Sequence, residues 1–214
     1  MNCLNNTSAI ILAPPGGGKT TAATKLQQAG FRGFVMSDQL KTVMAQEPEK
    51  ASIIKACMDG GIYVPDSIIL PVLKSVTDGM EHQAPHLLTL DGLRTFRQTQ
   101  FILTWLKQHE FTVFAFDITF DTPDLKICEE RMINRGREGE TPDVMATRFD
   151  EYRTYYPGVA EFLRWELEKQ YVDISGLLDP TQKFEKMWRT MFGDIPFCPP
   201  QPTTSPTSAP VTPT

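Results

Sequence analysis

The residues with the clearest chemical purpose lie at positions 13–21, APPGGGKTT, where three consecutive glycines precede a lysine and two threonines. Glycine tolerates positive φ, so such a run can turn backbone N–H groups inward around an anion. Lys19 then stands where it reaches the outer phosphates of a bound polyphosphate. Thr20 occupies the position whose hydroxyl binds Mg²⁺ in the G-x-x-x-x-G-K-[ST] motif, and Thr21 is a second candidate one residue on. Ala13 takes the place of that motif's first glycine. The apolar run at 8–13 reads as a buried strand and the residues after Lys19 as a helix start, so the new helix would add its dipole to the cradle.

Two further groups extend this chemistry. Asp91 follows the apolar LLTL and precedes Gly92, which places a carboxylate at the C-terminal end of a strand, where open α/β sheets gather ligands. There it could hold a water of the same Mg²⁺. Arg94 and Gln98 follow, four residues apart. In the segment 128–152, Arg131 and Arg135 share a helix face. Arg137 follows a glycine hinge, and GETPD reads as a second helix start with Thr141 as N-cap and Pro142 in first position. Arg148 projects from that second helix. Two helices carrying four arginines would form a cationic flap able to bring two anionic ligands together, although the interspersed Glu129, Glu130, Glu138 and Glu140 also suit a solvated hairpin. No strong candidate for a general base is present. An acceptor that is already an ionised phosphate needs none, so the combination reads as phosphoryl transfer driven by positioning and charge.

The elements that must hold these groups are legible as apolar runs at 8–13, 33–37, 86–92, 111–118 and 171–175, alternating with helical segments. That pattern predicts an α/β doubly wound sheet. Between the second and third runs, helical segments broken by Pro48 and Gly60-Gly61 suggest a small helical insert. The last twenty residues, rich in Pro, Thr and Ser, read as a disordered tail. The chain has 214 residues and a formal net charge of −5, so nucleic-acid or membrane partners are not expected. Its four cysteines (Cys3, Cys57, Cys128, Cys198) and three histidines (His82, His86, His109) lack metal-ligand spacing, and a reducing compartment is expected. No signal peptide or membrane span is apparent, so a cytoplasmic protein is expected.

Taken together, these motifs resemble the adenylate kinases, nucleoside monophosphate kinases of the P-loop class. APPGGGKTT is similar to G-x-P-G-x-G-K-[GST]-T. GIYVPD at 61–66 is similar to G-x-x-V-[PT]-D, and LDGLRTFRQT to L-D-G-F-P-R-T-x-x-Q with one residue fewer. NRGREGETPDVMATRFDEY is similar to the short-lid form R-G-R-x-D-D-T-x-x-x-x-x-x-R-L-x-x-Y. The likeness runs from about residue 9 to 193. It implies a three-layer α/β/α P-loop NTPase domain over 1–194 with a parallel central sheet, an acceptor-binding helical insert at about 37–66 and a short lid at about 133–141. It further implies ATP with Mg²⁺, no structural zinc, AMP as acceptor and a monomer.

By this resemblance, Gly16, Gly17, Gly18, Lys19, Thr20 and Thr21 would bind ATP phosphates, with Asp91 and Thr20 at the metal. Arg131, Arg135 and Gly176 would contact the rest of the ATP. Arg94, Arg137 and Arg148 would clamp the acceptor phosphate and, with Lys19 and Arg135, stabilise the group in transfer. Met36, Lys41, Val64, Gly92 and Gln98 would line the acceptor site, with Gln98 implying adenine. Met36 and Lys41 depart from the family's usual Thr and Arg, and Gly139-Glu140 stands where two aspartates are usual. These departures leave two alternatives: a kinase for another monophosphate, or a nucleotide-binding module that has lost turnover.

Overall fold

The computed structural model describes residues 6–80, 87–120 and 125–195. Among these residues the chain order is β1 (Thr7–Leu12), α1 (Lys19–Gln28), β2 (Arg32–Val35), α2 (Met36–Gln46), α3 (Pro48–Gly60), α4 (Asp66–Met80), β3 (Leu87–Asp91) and α5 (Phe96–Gln108). It continues with β4 (Thr112–Thr119), α6 (Leu125–Arg135), α7 (Pro142–Leu167), a 3-10 turn, β5 (Tyr171–Ser175) and α8 (Pro180–Phe192). The strands form one sheet in the order β2-β3-β1-β4-β5, with every pairing parallel. Parallel strands covered on both faces must be apolar throughout, and all six residues of β1 are buried.

One face of the sheet is covered by α4, α5 and α7, joined at its edge by α2 and α3, through residues such as Leu73, Leu106 and Leu163. The other is covered by α1 and α8 through Leu26, Met187 and Trp188. A small satellite core of Cys128, Met132, Met145 and Phe149 ties α6 to α7. The connection from β1 runs to β2 on one side of the sheet, whereas that from the neighbouring β3 crosses β1 to reach β4 on the other. This makes a topological switch point at the carboxyl ends of the central strands, where ligands of such sheets bind. The glycine-rich loop and Asp91 both emerge there.

Local chemistry explains the element boundaries. Pro48 opens α3 at a position where its missing N–H costs nothing, and Gly61 closes it in the left-handed conformation. Thr141 caps α7 by accepting from the Val144 N–H, with Pro142 behind it. Asp179 and Gln182 form a reciprocal capping box on α8.

One boundary differs from the sequence reading. The run at 33–37 was expected to stay extended, but β2 ends at Val35 and Met36 begins α2. Val35 pairs with Asp91, the last residue of β3, so the strand has no partner beyond it. The tail from 196 onward, Cys3, Cys198, His82 and His86 lie outside the described residues. Among the described residues, no helix is long and apolar enough to cross a membrane.

Candidate active site

The loop between β1 and α1 adopts a cradle geometry. Gly16 (φ 72°) and Gly18 (φ 96°) both sit in the left-handed region that side chains resist, and Gly18 is the residue from which α1 starts. The Gly17 N–H closes the turn on the Pro14 carbonyl at 3.0 Å. Gly18 brings no side-chain cap to α1, which leaves first-turn N–H groups for an anion.

Lys19 folds back over this loop. Its Nζ donates to the carbonyls of Ala13 (2.5 Å) and Pro14 (3.3 Å). Burial, reinforced by the charge of Arg94, pushes its ammonium down to about 7, against the opposing pull of Asp91. A bound polyphosphate would favour the charged form and return that pKa towards its ordinary range. The complex would then hold more protons than the free protein above about pH 7, so affinity should fall as pH rises through that window. Calorimetry of ATP binding at pH 8.5, in buffers of different ionisation enthalpy, is expected to show net proton uptake that disappears in Lys19→Met.

The Thr20 hydroxyl donates to Asp91 Oδ2 at 3.0 Å, and Asp91 is only 5% exposed at the end of β3. A hydroxyl and a carboxylate at a phosphate cradle form a hard oxygen donor set of the type Mg²⁺ prefers, with waters and substrate oxygens completing the shell. Among the described residues, no cluster of three His, Cys, Asp or Glu side chains offers an all-protein metal cage. The residues present therefore fit a substrate-borne Mg²⁺. Asp91→Asn is expected to raise the Mg²⁺ concentration needed for half-maximal activity about tenfold, within the usual range for lost metal-site contacts, as read by metal titration.

A cavity of about 780 Å³ opens over the loop. Its lining is drawn from two sets of elements. One comprises α6 and the start of α8, with Arg131, Met132, Leu178 and Lys183. The other comprises α2, α3, α4 and the turn before α4, with Met36, Leu40, Met58, Val64 and Ile69. The Arg94, Arg131, Arg135, Arg137 and Arg148 side chains, drawn from four separate parts of the chain, all contribute to its lining. Glu140, with a side chain 3% exposed, joins two of them: it accepts two hydrogen bonds from Arg135 (2.7 and 2.9 Å) and pairs with Arg148. Burial lowers the Arg148 pKa, and Glu140 offsets part of that effect.

The structure places most of the sequence-derived residues at the cavity: Gly16, Gly17, Gly18, Lys19, Thr20, Thr21, Met36, Val64, Asp91, Gly92 and Gln98 line it along with the arginines. Two do not reach it. Lys41 is exposed and ion-paired with Asp38 at 2.8 Å, because it lies on the solvent side of α2 while Leu40 faces inward. Gly176 lies beside the cavity rather than on its wall, and its carbonyl accepts from Lys183 at 2.8 Å and from Arg131 at 3.4 Å.

Gln98 has its amide in use already. Its Oε1 accepts from the Arg94 N–H and its Nε2 donates to Asp66 Oδ1, both at 2.8 Å. Lys183, buried on α8, and Tyr63, beneath Arg94, also line the cavity, and sequence reasoning did not single them out. The GIYVPD stretch was the only signal near Tyr63. Lys183 belonged to no motif.

An all-parallel five-stranded sheet flanked by helices on both faces, with a glycine-rich loop at its switch point, is consistent with the fold of a P-loop NTPase. Comparison with known proteins points the same way. The chain is 27% identical to an adenylate kinase of Mycolicibacterium vanbaalenii over 172 residues, covering 79% of this chain and 92% of that protein. It is 27% identical to an adenylate kinase of Oenococcus oeni over 140 residues, 65% of this chain and 73% of that protein. An adenylate kinase of Mycoplasmopsis pulmonis is 31% identical over 110 residues, about half of each chain. No protein-family model matches the chain.

Proposed function

We propose that the protein is a nucleoside monophosphate kinase that transfers the γ-phosphoryl group of ATP to AMP, reversibly and with Mg²⁺, giving two ADP. The single observation that carries this reading is one cavity lined by the glycine-rich loop, five arginines and residues from two separate sets of elements. The loop with α6 and α8 suffices for an NTP. The lining from α2, α3 and α4, the acceptor wing in this reading, gives room for an acceptor whose phosphate meets the first nucleotide's γ-phosphate.

In this reading an acceptor phosphate oxygen attacks the γ-phosphorus as the bond from that phosphorus to the β-bridging oxygen breaks. Lys19 and the loop N–H groups hold the β- and γ-phosphates. Arg94 holds the acceptor phosphate, while Arg135, Arg137 and Arg148 offset charge on the group in flight. Thr20 and Asp91 are the residues that would hold Mg²⁺, which would supply charge neutralisation for the polyphosphate. Glu140 tethers Arg135 and Arg148 in the absence of substrate, and the transferring phosphoryl group would compete with it for them. The adenylate kinases to which the chain is similar support the same class of reaction.

Kinase activity towards another monophosphate is a second reading, favoured by the acceptor wing: Lys41 faces solvent and the Gln98 amide is engaged internally. The test of the leading reading is phosphorus NMR of the purified protein in both directions. ADP should form from ATP and AMP, ATP and AMP should form from ADP alone, and chelation of Mg²⁺ should stop both.

A further inference from the structure

Arg94 differs from two of its neighbours in the cavity. Arg135 and Arg148 are paired with Glu140, whereas among the described residues no carboxylate pairs with Arg94. Its guanidinium instead lies 5.2 Å from the centroid of the Tyr63 ring. Burial pushes the Tyr63 phenol above its ordinary range, against the pull of Arg94, so the partner is a neutral ring rather than an anion. The distinction matters for recognition. A neutral phenol holds a guanidinium by its ring face and by accepting a hydrogen bond at its oxygen without cancelling the charge, while a carboxylate would neutralise it.

Tyr63 is itself fixed from other directions. Its backbone N–H donates to Glu151 Oε2 on α7 at 2.8 Å, and its ring meets that of Tyr155, on the same helix, at 5.5 Å. Two residues earlier, Gly61 lies so close to α7 that a Cβ there would come within 2.7 Å of the Val144 carbonyl. The turn that carries Tyr63 is therefore docked on the helix that carries Arg148. The connection that carries Arg94 is short, with only residues 92–95 between β3 and α5, and it is fastened at the backbone by Gln98.

We propose that Tyr63 is a positioning residue for the acceptor phosphate: its neutral side chain holds the Arg94 guanidinium at the cavity with its charge unspent, supported by α7 behind it. This assignment rests on the phosphotransfer reading above and names the residue that prepares its acceptor site.

The test is a double-mutant cycle on the full chain with Tyr63→Leu, Arg94→Ala and their combination, together with Tyr63→Phe. It reads AMP and ATP affinities by calorimetry and KM and kcat by turnover. Tyr63→Phe keeps the ring but loses the hydroxyl that hydrogen-bonds Arg94, and is expected to weaken AMP binding by less than Tyr63→Leu does. Tyr63→Leu is expected to weaken AMP binding and lower kcat/KM for AMP by about tenfold, while the ATP affinity is unchanged, and to have no further effect once Arg94 is alanine.

An equal loss in the Arg94→Ala background, or a parallel loss of ATP affinity, would show a merely structural role and overturn the proposal. So would a Tyr63→Leu protein with wild-type constants. A wild-type protein that binds AMP without turnover refutes the phosphotransfer reading alone, since the binding cycle still judges Tyr63. One that binds no AMP refutes both.

Discussion

Lys19→Ala is expected to reduce kcat/KM for phosphoryl transfer by about 10³-fold, the upper end of what one preorganised donor supplies, while leaving the melting temperature unchanged or slightly raised. The two halves of this expectation have one cause. The ammonium is desolvated over the loop, with the Ala13 and Pro14 carbonyls as its hydrogen-bond acceptors, and burial holds its pKa at about 7. A charged group placed in that setting is unfavourable to the free protein and favourable to a bound polyphosphate. Its removal therefore relieves the folded chain and deprives the transferring phosphates of their nearest cation. Turnover assays paired with thermal melts check both halves, and a large loss of stability would mean that Lys19 is a packing residue.

Arg148→Ala is expected to lower kcat by at least about 10³-fold, at the low end of the range for an arginine acting on a phosphoryl group in flight, with ATP affinity within a few fold of wild type. Arg148 reaches the cavity from the second turn of α7 and shares the buried Glu140 with Arg135. In the proposed reaction the phosphoryl group in flight competes with Glu140 for Arg148, so its contribution is expected in the transition state. Arg135 remains to balance Glu140 in the variant, which should preserve the loop at 136–141. Steady-state kinetics together with direct ATP binding separate the cases. A rise in KM alone would reduce Arg148 to a binding residue.

Features encoded over a few residues were legible in the sequence. The turn of the glycine-rich loop, the Thr141 cap, the break at Pro48 and Asp91 at a strand end all depend on spacing within one turn or one strand. The strands were readable from short apolar runs, which are nearly continuous in the central strands and shorter in the partly exposed edge strands β2 and β5, and the misplaced end of β2 reflects a partner strand, β3, that runs out at Asp91.

What could not be read depends on contacts across the fold. Lys41 looked like a phosphate ligand by its place in a motif, but whether a helical residue faces cavity or solvent is decided by how α2 packs, and that choice exposed Lys41 and buried Leu40. Tyr63 acquires its role from Arg94, 31 positions away, and from Glu151, 88 positions away. Glu140 appeared only as an irregularity among lid residues, and its contact with two arginines required both helices to be in place.

The most direct test of the central claim is a competition in which the protein receives ATP, Mg²⁺ and an equimolar mixture of ribo- and deoxynucleoside monophosphates, with the diphosphates separated and quantified. AMP consumed ahead of every other monophosphate, with two ADP formed per AMP and little of any other diphosphate, is the expected result. Consumption of a different monophosphate ahead of AMP, its diphosphate appearing one to one with the ADP left by the donor, would contradict AMP as the acceptor, and no diphosphate at all from a protein that binds ATP would contradict phosphotransfer itself.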